Sequence, residues 1–400
     1  MNNSFWKISG ILFLALIGYG IWEVTQDKEE IRASVSVAEA MGGGSSKGYL
    51  RASGPREFIF PEDHGPHPGF RTEWWYYTGN LFTEDGRQFG YQFTIFRSQM
   101  SPPDSGVSDK AYYEDWNTNQ LYLGHFAISD VENEDHIFEE RYSRGAAGLA
   151  GSQAVPHRVW LEDWEISRIE TITEDDKNFP VNITAKMENG ASLNLNITPV
   201  KPLVLQGEDG YDPKGPEEGN ASYYLAFTRM ETEGVVTKDG MVHDVEGYSW
   251  MDHEWSTSAL GEEQEGWDWF SIQLSNNYEI MYYQLRNSDG SVSEFTNGSI
   301  IDPEGNKTNF DPGDVNLQVL DTWKSPHSDA EYPSKWKLTI PSRNIELQLS
   351  TIFPDQEMDV SVRYFEGVLN IDGRMNMNKI TGNGFIEMTG YGENEGEQVR

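Results

Sequence analysis

The segment Tyr91-Gln-Phe-Thr-Ile-Phe96 places large apolar residues at every second position. A period of two sends successive side chains to opposite faces of a β-strand, whereas an amphipathic helix repeats every 3.6 residues. The same alternation recurs in four later segments, namely Leu193–Ile197, Ser222–Thr228, Trp336–Ile340 and Ile345–Ile352. These segments predict a chain built from strands.

The composition points to the same fold class. Aromatic residues make up 13% of the 400 residues, and Trp, Tyr and Phe favour pleated, half-buried surfaces. Asn-Gly, Asp-Gly and Glu-Gly pairs recur along the chain, as expected for tight turns between strands. We therefore predict an all-β protein of antiparallel barrels or sandwiches, long enough for two domains.

An internal repetition supports two domains. The segments that resemble each other are Trp74-Trp-Tyr-Tyr77 and Trp267-Asp-Trp-Phe270, Tyr91–Arg97 and Met281–Arg286, and Gly247–Met251 and Gly384–Met388. We predict a first domain over residues 57–257 and a second over residues 258–395. The junction is expected between Ser256 and Glu265.

The N-terminus has the pattern of an export signal. Lys7 precedes an apolar run from Ile8 to Trp22, so residues 1–24 are predicted to be a signal peptide or a retained signal anchor. Residues 25–56 contain Met41-Gly-Gly-Gly-Ser-Ser-Lys-Gly48 and are predicted to be a flexible linker. These segments predict a location in the bacterial cell envelope, on the periplasmic side of the inner membrane, by an N-terminal membrane tether or after cleavage.

Charge and cysteine content exclude several classes of function. The 65 acidic residues outnumber the 30 basic ones and give a formal net charge of −35, so nucleic acid is not expected as a partner. The chain has no cysteine, which excludes a cysteine nucleophile, a thiolate metal site and any disulfide. It has no G-x-S-x-G, phosphate-loop or dinucleotide motif either.

Two motif clusters carry a family resemblance. The first runs from His64 to Asn80 and contains Glu73-Trp-Trp-Tyr-Tyr-Thr-Gly79; the second contains Trp250-Met-Asp-His-Glu-Trp255 and is followed by Gly266–Phe270. This combination resembles the AttH and carotenoid 1,2-hydratase family. The resemblance implies two fused lipocalin-like barrels with a pocket for an apolar molecule. Some members of that family are hydratases, others act in cyclisation, and many exported members accompany ABC-type export systems.

Hydration of an alkene needs a proton donor, a shielded carbocation and a positioned water. A carboxylic acid in an apolar pocket can donate the proton, and aromatic faces can stabilise the cation. We expect Asp268 or Asp252 to be this acid and His253 to be its partner, and the resemblance itself extends to His253, Trp255 and Asp268. On a strand, Asp252 and Glu254 would share one face, and His253 and Trp255 the other. The aromatic residues expected to line the ligand pocket are Trp74, Trp75, Tyr77, Trp255 and Trp269.

Structural roles compete with these assignments. Trp-Trp pairs in barrels commonly pack the core, and Glu73 with Arg71 or Arg97 is expected to form a structural ion pair. His64 and His67 could join residues 252–254 in a composite zinc site, but no H-E-x-x-H helix exists. We therefore expect no metal or other cofactor. His125 and the other scattered histidines are expected to be structural or solvated.

Two functions remain open from the sequence. In the first, the protein carries a lipid or isoprenoid-like molecule as an accessory to an envelope ABC-type transporter. In the second, it is a cofactor-independent hydratase or lyase that adds water to an isoprenoid double bond through a carboxylic acid.

Overall fold

The computed structural model describes residues 46–103, 118–169, 179–258, 260–261 and 263–391. These residues form 23 β-strands and two 3₁₀ turns, at Glu62–His64 and Pro341–Arg343, with no α-helix among them. The predicted all-β class is confirmed. The five segments with a period of two lie in strands, as predicted, except that Ile352 follows the end of its strand at Thr351.

The first sheet has thirteen strands and curls into a barrel or half-barrel. Its main path runs in the order β4-β3-β2-β1-β13-β12-β9-β8-β7-β6-β5, and β10 and β11 pair with β12. The strands are β1 (Thr72–Phe82), β2 (Gln88–Gln99), β3 (Gln120–Asp130), β4 (Asp135–Arg144), β5 (Ala150–Gln153), β6 (Arg158–Leu161), β7 (Trp164–Arg168), β8 (Val181–Lys186), β9 (Ser192–Pro199), β10 (Val204–Leu205), β11 (Tyr211–Pro213), β12 (Ala221–Lys238) and β13 (Met241–Ser256).

The second sheet has ten strands and also forms a barrel or half-barrel. Its main path is β17-β16-β15-β14-β23-β22-β20-β19-β18, and β21 pairs with β22. The strands are β14 (Gln264–Leu274), β15 (Glu279–Asn287), β16 (Asn297–Ile301), β17 (Lys307–Asn309), β18 (Asn316–Lys324), β19 (Glu331–Ile340), β20 (Ile345–Thr351), β21 (Glu357–Met358), β22 (Tyr364–Met375) and β23 (Asn378–Thr389).

The repeated segments occupy corresponding places in the two sheets. In the first sheet β1 lies between β2 and β13, and in the second β14 lies between β15 and β23. All of these pairs are antiparallel. The last strand of the first sheet ends at Ser256, and the first strand of the second begins at Gln264.

Each sheet encloses its own apolar core, and a third cluster lies between the sheets. Trp75, Tyr77 and Phe93 belong to the first core, whereas Phe270 and Trp336 belong to the second. Burying one such side chain contributes roughly 1.5–3 kcal/mol. The cluster between the sheets contains Tyr76, Tyr224, Trp250, Trp269, Met281, Tyr283 and Leu285, with Trp74 and Trp267 packed against it.

The predicted signal segment, residues 1–24, and most of the predicted linker lie outside the described residues. The described end of the linker packs against the first sheet: Ala52 is buried, and the backbone N–H of Leu50 donates to the carbonyl of Gly69 at 2.9 Å. Arg56 pairs with Asp63 at 2.5 Å. Within the described ranges, no helix has the length and hydropathy needed to cross a membrane.

Candidate functional site

Strand alternation divides the predicted site residues into two groups. In the β1–β13 register, Trp75 lies opposite His253 and Trp74 lies opposite Glu254. Trp75 contributes to the first core and stacks at 4.8 Å on the ring of His253, whereas Trp74 packs in the cluster between the sheets. As the alternation predicts, Asp252 and Glu254 face the second sheet, while His253 and Trp255 face the other way.

A buried charge network lies on the His253 side. The carboxylate of Glu73 accepts hydrogen bonds from Arg97 Nε at 2.8 Å, His67 Nδ1 at 2.7 Å and His253 Nε2 at 2.8 Å. The predicted ion pair is therefore formed by Arg97. The inclusion of Arg71 is corrected, because its backbone N–H donates to Thr257 Oγ1 at 3.3 Å and its guanidinium does not pair with Glu73.

His67 links the two carboxylates of this network. Its Nδ1 contacts Glu73, its Nε2 lies 2.9 Å from Asp63, and its ring stacks on Trp255 at 3.6 Å. Burial alone lowers the pKa of His67, but Glu73 and Asp63 outweigh burial and leave that pKa raised. Burial raises the pKa of Glu73, but Arg97 and His67 outweigh it and hold that pKa well below its usual range.

The same side chains are close enough to be considered as metal ligands. Donor atoms of His67, Glu73 and His253 lie within 4.8 Å of one another. However, one oxygen of Glu73 already accepts from both imidazoles, and the guanidinium of Arg97 lies on the other oxygen. A cation would have to displace these hydrogen bonds beside a fixed positive charge, so the donors fit an ion-pair network better than a metal site.

The three residues expected to be catalytic do not form one site. Asp252 faces the second sheet and accepts from Tyr224 Oη and Trp250 Nε1, each at 2.8 Å. Asp268 lies on the opposite face of β14 from Trp269, where it contacts Arg286 Nε at 3.2 Å and Tyr391 Oη at 3.1 Å. His253 lies in the network around Glu73. The expected partnership of His253 with either aspartate is therefore corrected. Alternation along β13 turns Asp252 and His253 to opposite faces, and Asp268 belongs to the second sheet.

The predicted pocket residues divide in the same way. Trp74 and Trp269 line a cleft between the two sheets. Trp75 and Tyr77 pack inside the first sheet, and Trp255 is buried beneath the segment that precedes β1. The structure thus places two of the five predicted lining residues at the cleft.

The cleft between the sheets has two adjoining parts. The first, here called the carboxyl lobe, has a volume of about 70 Å³. Its lining is Trp74, Tyr76, Phe96, Lys214, Asp252, Glu254, Trp267, Trp269, Tyr283, Leu285 and Glu387. The second, here called the apolar lobe, has a volume of about 250 Å³ and includes Leu123, His125, Val362 and Tyr364. Phe96, Trp267 and Glu387 line both lobes, so the two lobes lie side by side.

Glu387 is the carboxyl group best placed to act on a molecule in the cleft. It is partly exposed, and it lies opposite the fully buried Glu366 in the β22–β23 register. Burial raises the pKa of Glu387 to about 8, with the Trp267 indole opposing this rise and Glu254 adding to it. Glu387 is therefore mainly a neutral acid at pH 7 and can donate a proton.

Two further carboxyls are also held in their acidic form: Asp252, which lines the cleft, and Glu366, which lies opposite Glu387 in the β22–β23 pair. Burial raises the pKa of Asp252 well above its ordinary value, although hydrogen bonds from Tyr224 and Trp250 oppose the rise. Burial likewise raises the pKa of Glu366 well above its ordinary range, and electrostatic coupling to the neighbouring Glu387 carboxyl adds to the effect. Glu366 accepts a hydrogen bond from Tyr76 Oη at 2.9 Å.

A tyrosine–histidine pair lies in the apolar lobe. Tyr364 Oη is 2.5 Å from His125 Nδ1, and Glu140 lies 3.9 Å from His125 Nε2. Burial raises the pKa of Tyr364 well above its ordinary value, so its phenol keeps its proton and donates to the imidazole. The pair therefore forms a hydrogen-bonded chain from the lobe to the His125 imidazole, whose other nitrogen lies near the Glu140 carboxylate.

Glu387 and the roles of His125 and Tyr364 were not predicted from the sequence. The sequence did contain a pattern that could have indicated Glu387. The resemblance of Gly384–Met388 to Gly247–Met251 aligns Glu387 with Trp250, and Trp250 faces the second sheet. No comparable signal existed for His125 and Tyr364, which lie 239 residues apart in the chain.

The chain is similar to known proteins in sequence and in fold. A family model described as AttH-like matches residues 51–391. A solved protein assigned to AttH, from Nitrosomonas europaea, is 29% identical, with a TM-score of 0.72 over 86% of this chain and 99% of that chain. No curated protein matches the chain.

Two more distant structures share the fold. Kievitone hydratase from Nectria haematococca is 15% identical, with a TM-score of 0.64 over 86% of this chain and 96% of that chain. CghA, solved with Sch210972, is 12% identical, with a TM-score of 0.51 over 90% of this chain and 96% of that chain. At these identities the likeness is one of fold alone.

Proposed function

The chain belongs to the AttH-like family, and we propose that it acts as a cofactor-independent hydro-lyase on an apolar, isoprenoid-like molecule held in the cleft between its two sheets. The observation that carries this proposal is Glu387, a carboxylic acid with a pKa raised to about 8 that lines both lobes. Catalytic acids work best when their pKa lies near the working pH.

The proposed step balances with water as the co-reactant. The Glu387 O–H bond breaks, and the alkene π electrons form a new C–H bond, which leaves a carbocation on the neighbouring carbon. A water oxygen then forms the C–O bond, and its released proton passes to Tyr364 as the Tyr364 proton moves to His125. Exchange with solvent then removes the extra proton from His125 and returns one to Glu387, so the net reaction converts alkene and water to an alcohol.

The surroundings of Glu387 favour this chemistry. Trp74, Trp267 and Trp269 can stabilise positive charge through their ring faces, and the apolar lobe offers Phe96, Leu123 and Val362 to an isoprenoid chain. The fold is shared with kievitone hydratase, which agrees with a hydratase without identifying the substrate.

Mass spectrometry in H₂¹⁸O tests the proposal. The full chain is incubated with citronellol and other terminal trisubstituted alkenes, and addition of ¹⁸O-labelled water is measured. Glu387→Gln should lower turnover by roughly 10²–10⁴-fold and retain alkene binding. Glu346→Gln changes an exposed carboxyl of the same sheet and should retain full turnover. Full turnover in Glu387→Gln would refute the assignment of the acid.

Carriage without catalysis is the second candidate. The predominantly apolar walls of the larger lobe favour it, because a lipid or isoprenoid could be held there without any reaction. In this case the protein would be a membrane-tethered accessory to an ABC-type transporter on the periplasmic side of the bacterial inner membrane. Alkene binding that is unchanged in Glu387→Gln, with no ¹⁸O addition by the unmodified chain, would favour the carrier.

A further inference from the structure

The carboxyl lobe combines aromatic faces with acidic groups. Trp74, Trp267, Trp269 and Tyr283 come from both sheets and line a cavity that also contains Asp252 and Glu387. The face of an aromatic ring attracts a cation, most strongly for tryptophan and where water is excluded. Walls of this composition favour a positively charged group over a neutral one of the same size.

The ammonium group of Lys214 already lies against aromatic rings at this lobe. Lys214 Nζ lies 4.0 Å from the centroid of the Tyr283 ring and 5.4 Å from that of Tyr224. Its charge is balanced by Asp212 at 2.7 Å and by Glu254 at 3.7 Å. A buried ammonium group is therefore stable against these rings when carboxylates accompany it.

Three carboxyl groups beside the lobe have no cationic partner in the part of the chain that the structure describes. Among the residues that the structure describes, none of Asp252, Glu366 and Glu387 forms an ion pair with a lysine, arginine or histidine. Asp252 and Glu366 are hydrogen-bonded by phenols, and Glu387 is partly exposed to the cleft. The cleft can thus supply a negative charge at Glu387 to an incoming cation.

We propose that the carboxyl lobe binds organic ammonium ions, with the ammonium head among Trp74, Trp269 and Glu387 and an apolar tail in the apolar lobe. This inference rests on the proposed function, because a permanent cation mimics the carbocation that the same walls would stabilise. The net charge of −35 attracts cations to the protein. The chemical class of ligand is therefore an alkylammonium ion with a small head and an apolar chain.

Binding of a cation is coupled to release of a proton. The titratable and charged groups that line the two lobes with Glu387, or pair with it, come from both sheets. They are Glu366 and Tyr364 on β22, Asp252 and Glu254 on β13, Glu73 and Tyr76 on β1, Arg97 on β2, His125 on β3, Tyr283 on β15, and Lys214. Because the pKa of Glu387 is about 8, this group is mainly protonated at pH 7 and would ionise beside an ammonium ion. We expect release of up to one proton for each ligand bound.

Isothermal titration calorimetry on the full chain tests the inference with a matched pair of ligands. Hexyltrimethylammonium carries the cation, and 2-methyloctan-2-ol presents a neutral head of similar shape on the same hexyl chain. We expect the ammonium ion to bind at least about tenfold more tightly. Titrations at pH 7 in two buffers of different ionisation enthalpy measure the released proton.

Variants locate the site and separate the outcomes. Glu387→Gln should abolish proton release and reduce the preference for the cation. Trp74→Leu should also reduce that preference. Glu346→Gln should leave both proton release and the preference unchanged. Equal affinity for the two ligands, or no binding of the ammonium ion, would overturn the inference. A preference that persists in both cleft variants would also overturn it, because the cation would then bind elsewhere on the acidic surface. The ¹⁸O measurement remains a separate test of the hydro-lyase.

Discussion

At the scale of single residues, the buried charges divide into two kinds. Glu73 is ionised within a network of Arg97, His67 and His253, whereas Glu387 is held as a neutral acid by burial. The first kind stabilises the first sheet only while every partner is present, because a buried charge without a partner is costly. The second kind costs stability as the pH rises, because the buried Glu387 carboxyl resists ionisation, but it provides a proton donor at neutral pH.

Removal of Arg97 should therefore be strongly destabilising. Arg97→Met leaves the Glu73 carboxylate buried beside two imidazoles, and we expect the free energy of unfolding to fall by roughly 3–5 kcal/mol in urea titrations. The double change Glu73→Gln with Arg97→Met should recover much of the loss, since no ionised carboxylate remains. A matched control is Lys337→Met, which breaks an exposed pair with Glu346 and should cost about 1 kcal/mol or less. A similar cost for Arg97→Met and Lys337→Met would show that the network contributes little.

The raised pKa of Glu387 predicts how the free energy of unfolding depends on pH. Its folded pKa of about 8 lies above its ordinary value of 4.5, so its contribution is fully present below about pH 4.5 and is lost as pH rises towards 8. The slope for one group approaches about 1.4 kcal/mol per pH unit. Urea unfolding at pH 5 and pH 8 should show a smaller loss of stability in Glu387→Gln than in the unmodified chain. The same loss in both proteins would mean that Glu387 is solvated in the folded state.

At the scale of elements, the β1–β13 pair decides which side chains meet. Its two faces carry the Glu73 network and one wall of the cleft, and its register fixes both. Gly247 on β13 is required by this pairing, because a Cβ at this position would lie 2.1 Å from the carbonyl oxygen of Asn80 on β1. A shift of one residue would exchange the two faces.

Gly247→Ala should disturb this pairing. We expect a loss of roughly 1–3 kcal/mol in the free energy of unfolding, with weaker binding of ligands in the cleft. Gly261→Ala is a suitable control, since its new Cβ would lie 3.4 Å from its nearest neighbour. Calorimetry and hydrogen exchange of β1 amides would measure the effect. Unchanged protection of β1 in Gly247→Ala would show that the pair accommodates the methyl group.

At the scale of the whole molecule, buried polar contacts fix the two sheets against each other. Glu279 on β15 accepts from Arg229 Nε of β12 and from Lys201 Nζ, both at 2.6 Å. Asn80 Nδ2 also donates to the carbonyl of Gly384 at 3.1 Å. Because the cleft is lined by both sheets, these contacts hold its opposite walls in place.

Glu279→Gln should loosen the sheets from each other. The change leaves Lys201 and Arg229 buried without a carboxylate, which typically costs about 3–5 kcal/mol. We expect a single calorimetric transition for the unmodified chain and a broadened or split transition for Glu279→Gln, which should also bind cleft ligands more weakly. Glu346→Gln should keep the single transition. An intact transition in Glu279→Gln would place the control of sheet association elsewhere, in the apolar contacts between the sheets.

The sequence by itself determined the all-β class, the paired hairpins and the faces that Asp252 and His253 occupy. These follow from local physics, because a period of two fixes which side chains share a face of a strand. Tertiary structure alone decided that the Asp252 face meets the second sheet, that Arg97 pairs with Glu73, and that Asp268 lies outside the cleft. It also brought Glu387, His125 and Tyr364 to one cleft, because contacts between distant strands depend on how complete sheets pack, and alternation within a single strand does not specify that packing.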